Sequence, residues 1–295
     1  MRVTNKHHLP ETIVNVLSRP TYTKGGANLS VTEMLNSPRI VQLKRLHDAE
    51  LEQDASDMVW AIFGTAIHAV LEHGKARNHI VEERLHAMVD GWSISGAIDL
   101  QVVEDDGIAV SDYKTTSAWA VMNEKVEWEQ QLNIYAWLVE TVKQRPVKGL
   151  SIVAIIRDWS RRDVRENYPP APLQEININL WTYEERTYFI RDRISAHAAA
   201  LFAVETRSSD SWDDLPECTP EQMWEKPMMW AVKKVGGVRA KNVCYTEEEA
   251  NEKLELAGKN HFIEARPGER TRCANYCSVK DFCGQWKKYN QGETV

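Results

Sequence analysis

No apolar run in these 295 residues approaches the length that a bilayer-spanning helix requires, which argues for a soluble chain. The opening residues Met1-Arg-Val-Thr-Asn-Lys-His-His are not followed by the apolar core of a secretory signal, so a cytoplasmic location is the expectation. Positive charge is also in short supply. Lys and Arg number 36 against 43 Asp and Glu, for a formal net charge of −7. That balance excludes a protein that coats duplex DNA by charge alone, but not one whose basic contacts are confined to a groove. No Walker-A lysine motif is present, and the chain is too short for a helicase. Cysteine is sparse, five residues in all, which excludes a disulfide scaffold and leaves metal ligands or ordinary thiols.

What is present is an ordinary globular composition, 43% hydrophobic and 27% charged, in a length that suits one α/β domain carrying a smaller insertion. Residues 1–28 mix Pro, Gly and polar residues without period and read as a loosely ordered lead-in. Ser30 with Glu33 forms a capping-box pattern, and Met34, Ile40, Leu43 and Leu46 line a helix interrupted near Pro38. From Asp57, the apolar residues Val59, Ile62, Phe63, Ala66, Ile67, Val70 and Leu71 recur at helical spacing, predicting an amphipathic helix with His68 at the edge of its buried face. Gly64, one turn earlier, would let another element approach closely.

Trp92 to Val103 alternates in the manner of a strand, Glu104-Asp-Asp-Gly107 is a turn signal, and Ile108 to Thr115 alternates again. A β-hairpin results. With Asp105 and Asp106 at the centre of the turn, Asp99 lies opposite Asp112; with Asp106 and Gly107 there, Asp99 faces Lys114 instead. Either register puts both aspartates on one side of the sheet, about 4.5 to 8 Å apart at Cβ, where they repel unless a cation stands between them. A helix over 127–142 follows, with Gln131 and Tyr135 one turn apart. Residues 148–157 and 173–181 read as buried strands, and 182–204 as a long helix. The order predicts a mixed β-sheet flanked by helices.

Two carboxylates and a lysine at this spacing suit phosphodiester hydrolysis. Mg²⁺ or Mn²⁺ held by Asp99 and Asp112 can act on the phosphate, Lys114 can orient or deprotonate the attacking water, and His68 can complete the metal shell. Taken in order, Gly64-x3-His68, Gly96-Ala-Ile-Asp99, Asp112-Tyr-Lys114 and Gln131-x3-Tyr135 resemble the successive motifs of the RecB-like branch of the PD-(D/E)XK nucleases. The resemblance implies a restriction-endonuclease-like core, with His68, Asp99 and Asp112 on the metal and Lys114 catalytic. It also implies that Gln131 and Tyr135 orient the lysine and contact DNA. An exonuclease acting on DNA ends in recombination, repair or phage replication is the expected activity, with a recombinase, helicase or single-strand annealing protein as a partner. The rival expectation is an inactive DNA-binding or assembly subunit that kept the fold.

Beyond residue 210 the pattern changes. After a polar loop at 208–214, residues 229–235 and 238–245 pair around Gly236-Gly237, Thr246 with Glu249 caps a helix, and 261–265 makes a strand, a small ββαβ insertion. The expected organisation is a lead-in over 1–28, a core over 29–210, the insertion over 211–270 and a cysteine-containing tail over 271–295. Cys273, Cys277 and Cys283, with Cys218 upstream, offer four thiolates. The resemblance implies a [4Fe-4S] cluster; the family's usual upstream cysteine is missing near Asn36-Ser37, and tetrahedral Zn²⁺ is the alternative. Cys244 reads as an ordinary buried thiol. Most of the eleven tryptophans should be packing residues, although Trp119 and Trp128 could stack on unpaired bases. Lys233, Lys234, Arg239 and Lys241 could track DNA or simply face solvent.

Overall fold

The computed structural model describes residues 1–19, 23–74, 76–123, 125–206 and 214–291. The chain divides into two compact units, Met1–Ser208 and Ser209–Val295. The first unit opens with β1 (Arg2–Thr4), α1 (Glu11–Leu17), β2 (Leu29–Ser30), α2 (Val31–Leu35), α3 (Pro38–Leu46) and β3 (Glu52–Asp54). Next, α4 (Val59–Glu72) leads into β4 (His79–Val89), β5 (Trp92–Glu104) and β6 (Gly107–Thr116). The short α5 (Ala118–Met122) and long α6 (Val126–Lys143) carry the chain to β7 (Val147–Ile156), β8 (Leu173–Ile178) and α7 (Tyr183–Thr206).

These elements form an α/β unit around a mixed six-stranded sheet of order β2-β5-β6-β7-β8, with β4 also paired to β5. The β5–β6 hairpin is antiparallel, β6–β7 parallel and β7–β8 antiparallel. A parallel pair needs a crossover, and α6 supplies it, burying Leu132, Ile134, Ala136, Leu138 and Val139 against the sheet. Ile98, Ile108, Val110, Leu150 and Ile152 meet that helix in the same core. Ser30 caps α2, and both halves of its capping box with Glu33 form. Pro38 opens α3, where its missing amide costs nothing.

Gly96 on β5 is held to its identity by α6. A Cβ there would stand 2.7 Å from Cε1 of Tyr135 and 2.9 Å from Cδ1 of Leu138. Gly96→Ala should therefore lower the unfolding free energy by about 1–3 kcal/mol in urea titration, through overpacking. A cost indistinguishable from zero would show that Tyr135 moves aside freely.

Four elements differ from the sequence-based expectation. The lead-in contains ordered structure: β1 pairs in parallel with β3, and Thr4 and Lys6 both donate to the Asp54 carboxylate. Both strands are too short to carry a periodic signal. The 11-residue β4 had no expected element; it pairs along β5 from Val89↔Trp92 to His79↔Val102. The apolar stripe of α4 is not a buried face. None of its residues is fully buried, and Val59, Phe63 and Val70 are exposed; among the described residues the helix packs on β6, on α1 and on the turn that precedes it. β8 is an edge strand, alternately exposed, not a buried central one. Gly64 also permits more than expected, since a Cβ there would lie 3.5 Å from Thr115 Oγ1, an ordinary contact.

The second unit holds α8 (Pro220–Met223), β9 (Glu225–Lys226), β10 (Met229–Lys234), β11 (Ala240–Cys244), α9 (Glu247–Ala257), β12 (His261–Arg266), β13 (Glu269–Arg270), α10 (Thr271–Asn275) and α11 (Gly284–Asn290). Strands β11-β10-β12 form an antiparallel sheet covered by α9, the expected ββαβ arrangement, and Thr246 caps α9 by accepting from the Glu249 amide. Of the polar loop expected at 208–214, residues 208–213 lie outside the described residues. Among the described residues no helix is long and apolar enough to cross a membrane.

Candidate active site

The β5–β6 hairpin chooses between the two registers. Glu104 pairs with Gly107, so Asp105 and Asp106 centre the turn, and the ladder runs to Leu100↔Ser111. One step further it brings Asp99 opposite Asp112. There backbone pairing stops, and the Asp99 carboxylate takes over: its Oδ2 accepts from the Tyr113 amide at 2.8 Å. This leaves Oδ1 directed elsewhere.

On the neighbouring strand the pairing of β4 with β5 is also interrupted, between Val81↔Leu100 and Glu83↔Ile98. The skipped residue is Glu82, whose φ of 50° is left-handed and costs a non-glycine residue about 1 kcal/mol or more. That kink turns the Glu82 carboxylate toward α4. His68 Nδ1 stands 3.1 Å from Glu82 Oε1 and 3.5 Å from Asp99 Oδ1. Its Nε2 donates to the Tyr113 carbonyl at 3.2 Å, which fixes the ring and aims Nδ1 at the two carboxylates. One ligand atom from each of His68, Glu82 and Asp99 lies within 4.8 Å of the others. Without a cation between them, the hydrogen bond to Asp99 first, and that to Glu82 next, hold the His68 imidazolium up to about 10 against burial.

Asp112 is 2% exposed and lies beside this group. Its Oδ2 forms an ion pair with Lys114 Nζ at 2.6 Å, and its Oδ1 accepts from Gln131 Nε2 at 3.1 Å. Burial pushes the Asp112 carboxyl above its ordinary value, with Lys114 pulling down and Asp99 pushing up. Gln131 is the organiser: its Oε1 accepts from Lys114 Nζ at 3.0 Å, and its Nε2 also donates to the Tyr135 hydroxyl at 2.9 Å. One amide thereby holds both members of the Asp112–Lys114 pair and is itself held by a tyrosine one turn away.

The donor chemistry suits a hard divalent cation, namely one imidazole nitrogen and carboxylates, with a buried Asp112 oxygen that makes no hydrogen bond beyond its ion pair. Residues 75–284 match the family model of the PD-(D/E)XK nuclease superfamily. The chain belongs to this superfamily. No curated protein matches the chain. Among solved structures, one titled "Crystal structure of SSO0001" is similar, with a TM-score of 0.42 and 20% identity over 62% of this chain and 81% of that one.

As a PD-(D/E)XK nuclease superfamily member with a mixed sheet flanked by helices, the chain carries a candidate divalent-metal site in His68, Glu82 and Asp99. The structure brings together His68, Asp99, Asp112, Lys114, Gln131 and Tyr135, and adds Glu82, which sequence reasoning missed. Alternation is present only beyond it, where Leu85, Ala87 and Val89 turn inward while His86 and Met88 are exposed; at Glu82 itself the pairing with β5 is broken. Trp128 is buried in the core and has no face to offer a base, whereas Trp119 is 63% exposed. Lys233 is neutralised by Glu264 at 2.8 Å; Lys234, Arg239 and Lys241 are exposed.

In the second unit, Cys218 and Cys283 are buried, and Cys273 and Cys277 partly so. Gln285, the second residue of α11, clamps Cys218 by accepting from its amide at 2.8 Å and donating to its carbonyl at 3.0 Å. Burial, then the nearby Cys277, Cys218 and Cys283, push the Cys273 thiol up to about 12. The four sulfurs do not converge to the ligand spacing seen for His68, Glu82 and Asp99. Cys244 packs with Val232 and Ala250 in an apolar cluster.

Proposed function

We propose that this chain is a Mg²⁺- or Mn²⁺-dependent deoxyribonuclease, working as an exonuclease at DNA ends. The observation that carries the reading is the His68–Glu82–Asp99 group set beside the Asp112–Lys114–Gln131–Tyr135 network. His68, Glu82, Asp99 and, once released from Lys114, Asp112 would hold the cation. When bound, such an ion supplies Lewis-acid polarisation of the phosphate and a water of lowered pKa. The remaining work falls to the protein. Lys114 Nζ, aimed by Gln131 Oε1, exchanges its contact with Asp112 for the attacking water or a phosphate oxygen, and so balances the charge that develops there. Tyr135 holds Gln131 in the orientation that serves both partners. Trp119 is a candidate contact to DNA bases, and Lys234 and Arg239, more than the neutralised Lys233, are candidate contacts to phosphate.

Cleavage of end-labelled linear DNA and closed circular DNA in Mg²⁺ or Mn²⁺ tests the mode of action. Loss of linear DNA with the circle intact supports end-dependent hydrolysis; nicking of the circle would make the chain an endonuclease. DNA bound without cleavage under every metal condition would assign it to the binding or assembly subunits.

The same proposal includes a [4Fe-4S] cluster held by Cys218, Cys273, Cys277 and Cys283, with Zn²⁺ as the alternative occupant. Support comes from the thiols' mutual electrostatic influence and the Gln285 clamp, which ties the one upstream cysteine to the helix that follows the last. Protein purified without oxygen should contain iron and acid-labile sulfide, or else zinc, and Cys283→Ser should lose it. Wild-type protein carrying neither metal would remove this part of the proposal.

A further inference from the structure

Lys114 lies near the end of β6, paired with Ala154, and the parallel strands finish together at Thr116↔Ile156. The chain leaves β7 into an arginine-bearing segment, Arg157 to Arg165, that starts beside the end of β6: the Arg157 amide donates to the Thr116 carbonyl at 2.9 Å. Asp158 Oδ1 accepts from the Ala118 amide at 2.7 Å and so ties this segment to the start of α5, which carries Trp119. On its other flank the Arg157 guanidinium lies over the ring of Trp60, 4.5 Å from its centroid, on the same helix as His68. Trp60, Trp119 and Arg157 are therefore gathered at the end of the sheet where Lys114 sits, and Arg161, Arg162 and Arg165 follow on the same segment.

Indoles are mostly buried, yet Trp60 is 57% and Trp119 63% exposed. The chain is acidic, yet Arg161, Arg162 and Arg165 are exposed and form no salt bridge among the described residues, although Asp163 and Glu166 stand nearby in sequence. Base pairs in a duplex are stacked on each other and have no face for an indole; unpaired bases have one, and arginine beside it meets the phosphates.

We propose that Trp60, Trp119 and the arginine segment form a track for one unpaired DNA strand running to Lys114. This rests on the nuclease reading and specifies the form of DNA the site takes. Trp60 and Trp119 stack on bases, Arg157 is held ready by its stack on Trp60, and Arg161 and Arg162 contact phosphate. The exposed face of α4 is thus an interface for nucleic acid and not for a second copy of the chain.

The test is fluorescence anisotropy in EDTA, where nothing is cleaved, with labelled oligodeoxythymidylate and a blunt duplex as probes. Trp60→Ala and Trp119→Ala should each weaken oligodeoxythymidylate binding about five- to hundredfold, and duplex binding much less. Trp60→Phe and Trp119→Phe should restore most of the affinity, which a lost fold would not allow. The joint change Arg161→Ala and Arg162→Ala should flatten the logarithmic salt dependence by about 1.4 for the single strand. Alanine variants that hold the oligonucleotide as the wild type does, or that lose both probes equally, overturn the track. So does a Trp60→Ala variant that turns a dimer into a monomer with unchanged binding. Cleavage in Mg²⁺ is scored separately. A wild type that cleaves, with undiminished binding by the variants, loses the track alone; tryptophan-dependent binding without cleavage keeps the track and overturns the nuclease reading.

Discussion

Lys114→Ala should slow DNA cleavage by about 10²- to 10⁴-fold while leaving the chain folded. Lys114 is the cation beside a buried carboxylate, and Gln131 fixes its Nζ 3.0 Å from its own Oε1. Removing it deletes the group that reaches the water or phosphate and leaves Asp112 without its counter-charge. Asp112, already pushed above its ordinary value by burial, then takes up a proton more readily and becomes a poorer metal ligand. Arginine should not rescue the loss, because its planar fork does not fit a contact built for a point charge. Asp112→Asn should be equally inactive and should cost the metal-free fold no more than about 1–3 kcal/mol, since the lost partner, Lys114, has a side chain that is 26% exposed and can turn to water. Single-turnover cleavage and urea titration check the two halves. An inactive but strongly destabilised Asp112→Asn would show that the pair serves the fold first.

Mn²⁺ binding at pH 8 should expel about one proton, and that proton should come from His68. The metal-free imidazolium is held up to about 10 by Asp99 and Glu82, well above the 6.5 of the unfolded chain. A raised histidine contributes stability in full below about 6.5 and loses it as the pH climbs through 10, so the metal-free protein should weaken across that window. A bound cation takes the place of the proton, and the slope should flatten. His68→Asn should abolish both the proton release and the slope, and weaken Mn²⁺ binding at least about tenfold. Calorimetric titration in two buffers of different ionisation enthalpy measures the proton count. No release from the wild type would place the ion away from Nδ1.

How far the site could be read in advance depended on how local its signals are. Asp112 and Lys114 share a strand face by simple alternation, and Gln131 and Tyr135 share a helix face, so both pairs were legible. The hairpin was legible down to a choice of two registers, which the Glu104↔Gly107 pairing resolved. Glu82 was not, because it lies on a strand whose alternation is broken by the residue itself, at φ 50°. The helix carrying His68 was predicted from its period, but period marks an apolar stripe without saying what covers it. Most of that stripe faces outward, and Trp60, which the apolar count passed over, proved to sit against Arg157. The cysteines were legible as a set of four; how closely their sulfurs approach depends on tertiary placement that spacing does not encode.

The most direct test is the release of acid-soluble nucleotides from linear DNA by wild-type and Asp112→Asn proteins prepared in parallel, with Mg²⁺ and with EDTA. The account predicts release by the wild type in Mg²⁺ alone. Equal release by both proteins, or none by the wild type with either Mg²⁺ or Mn²⁺, would contradict it.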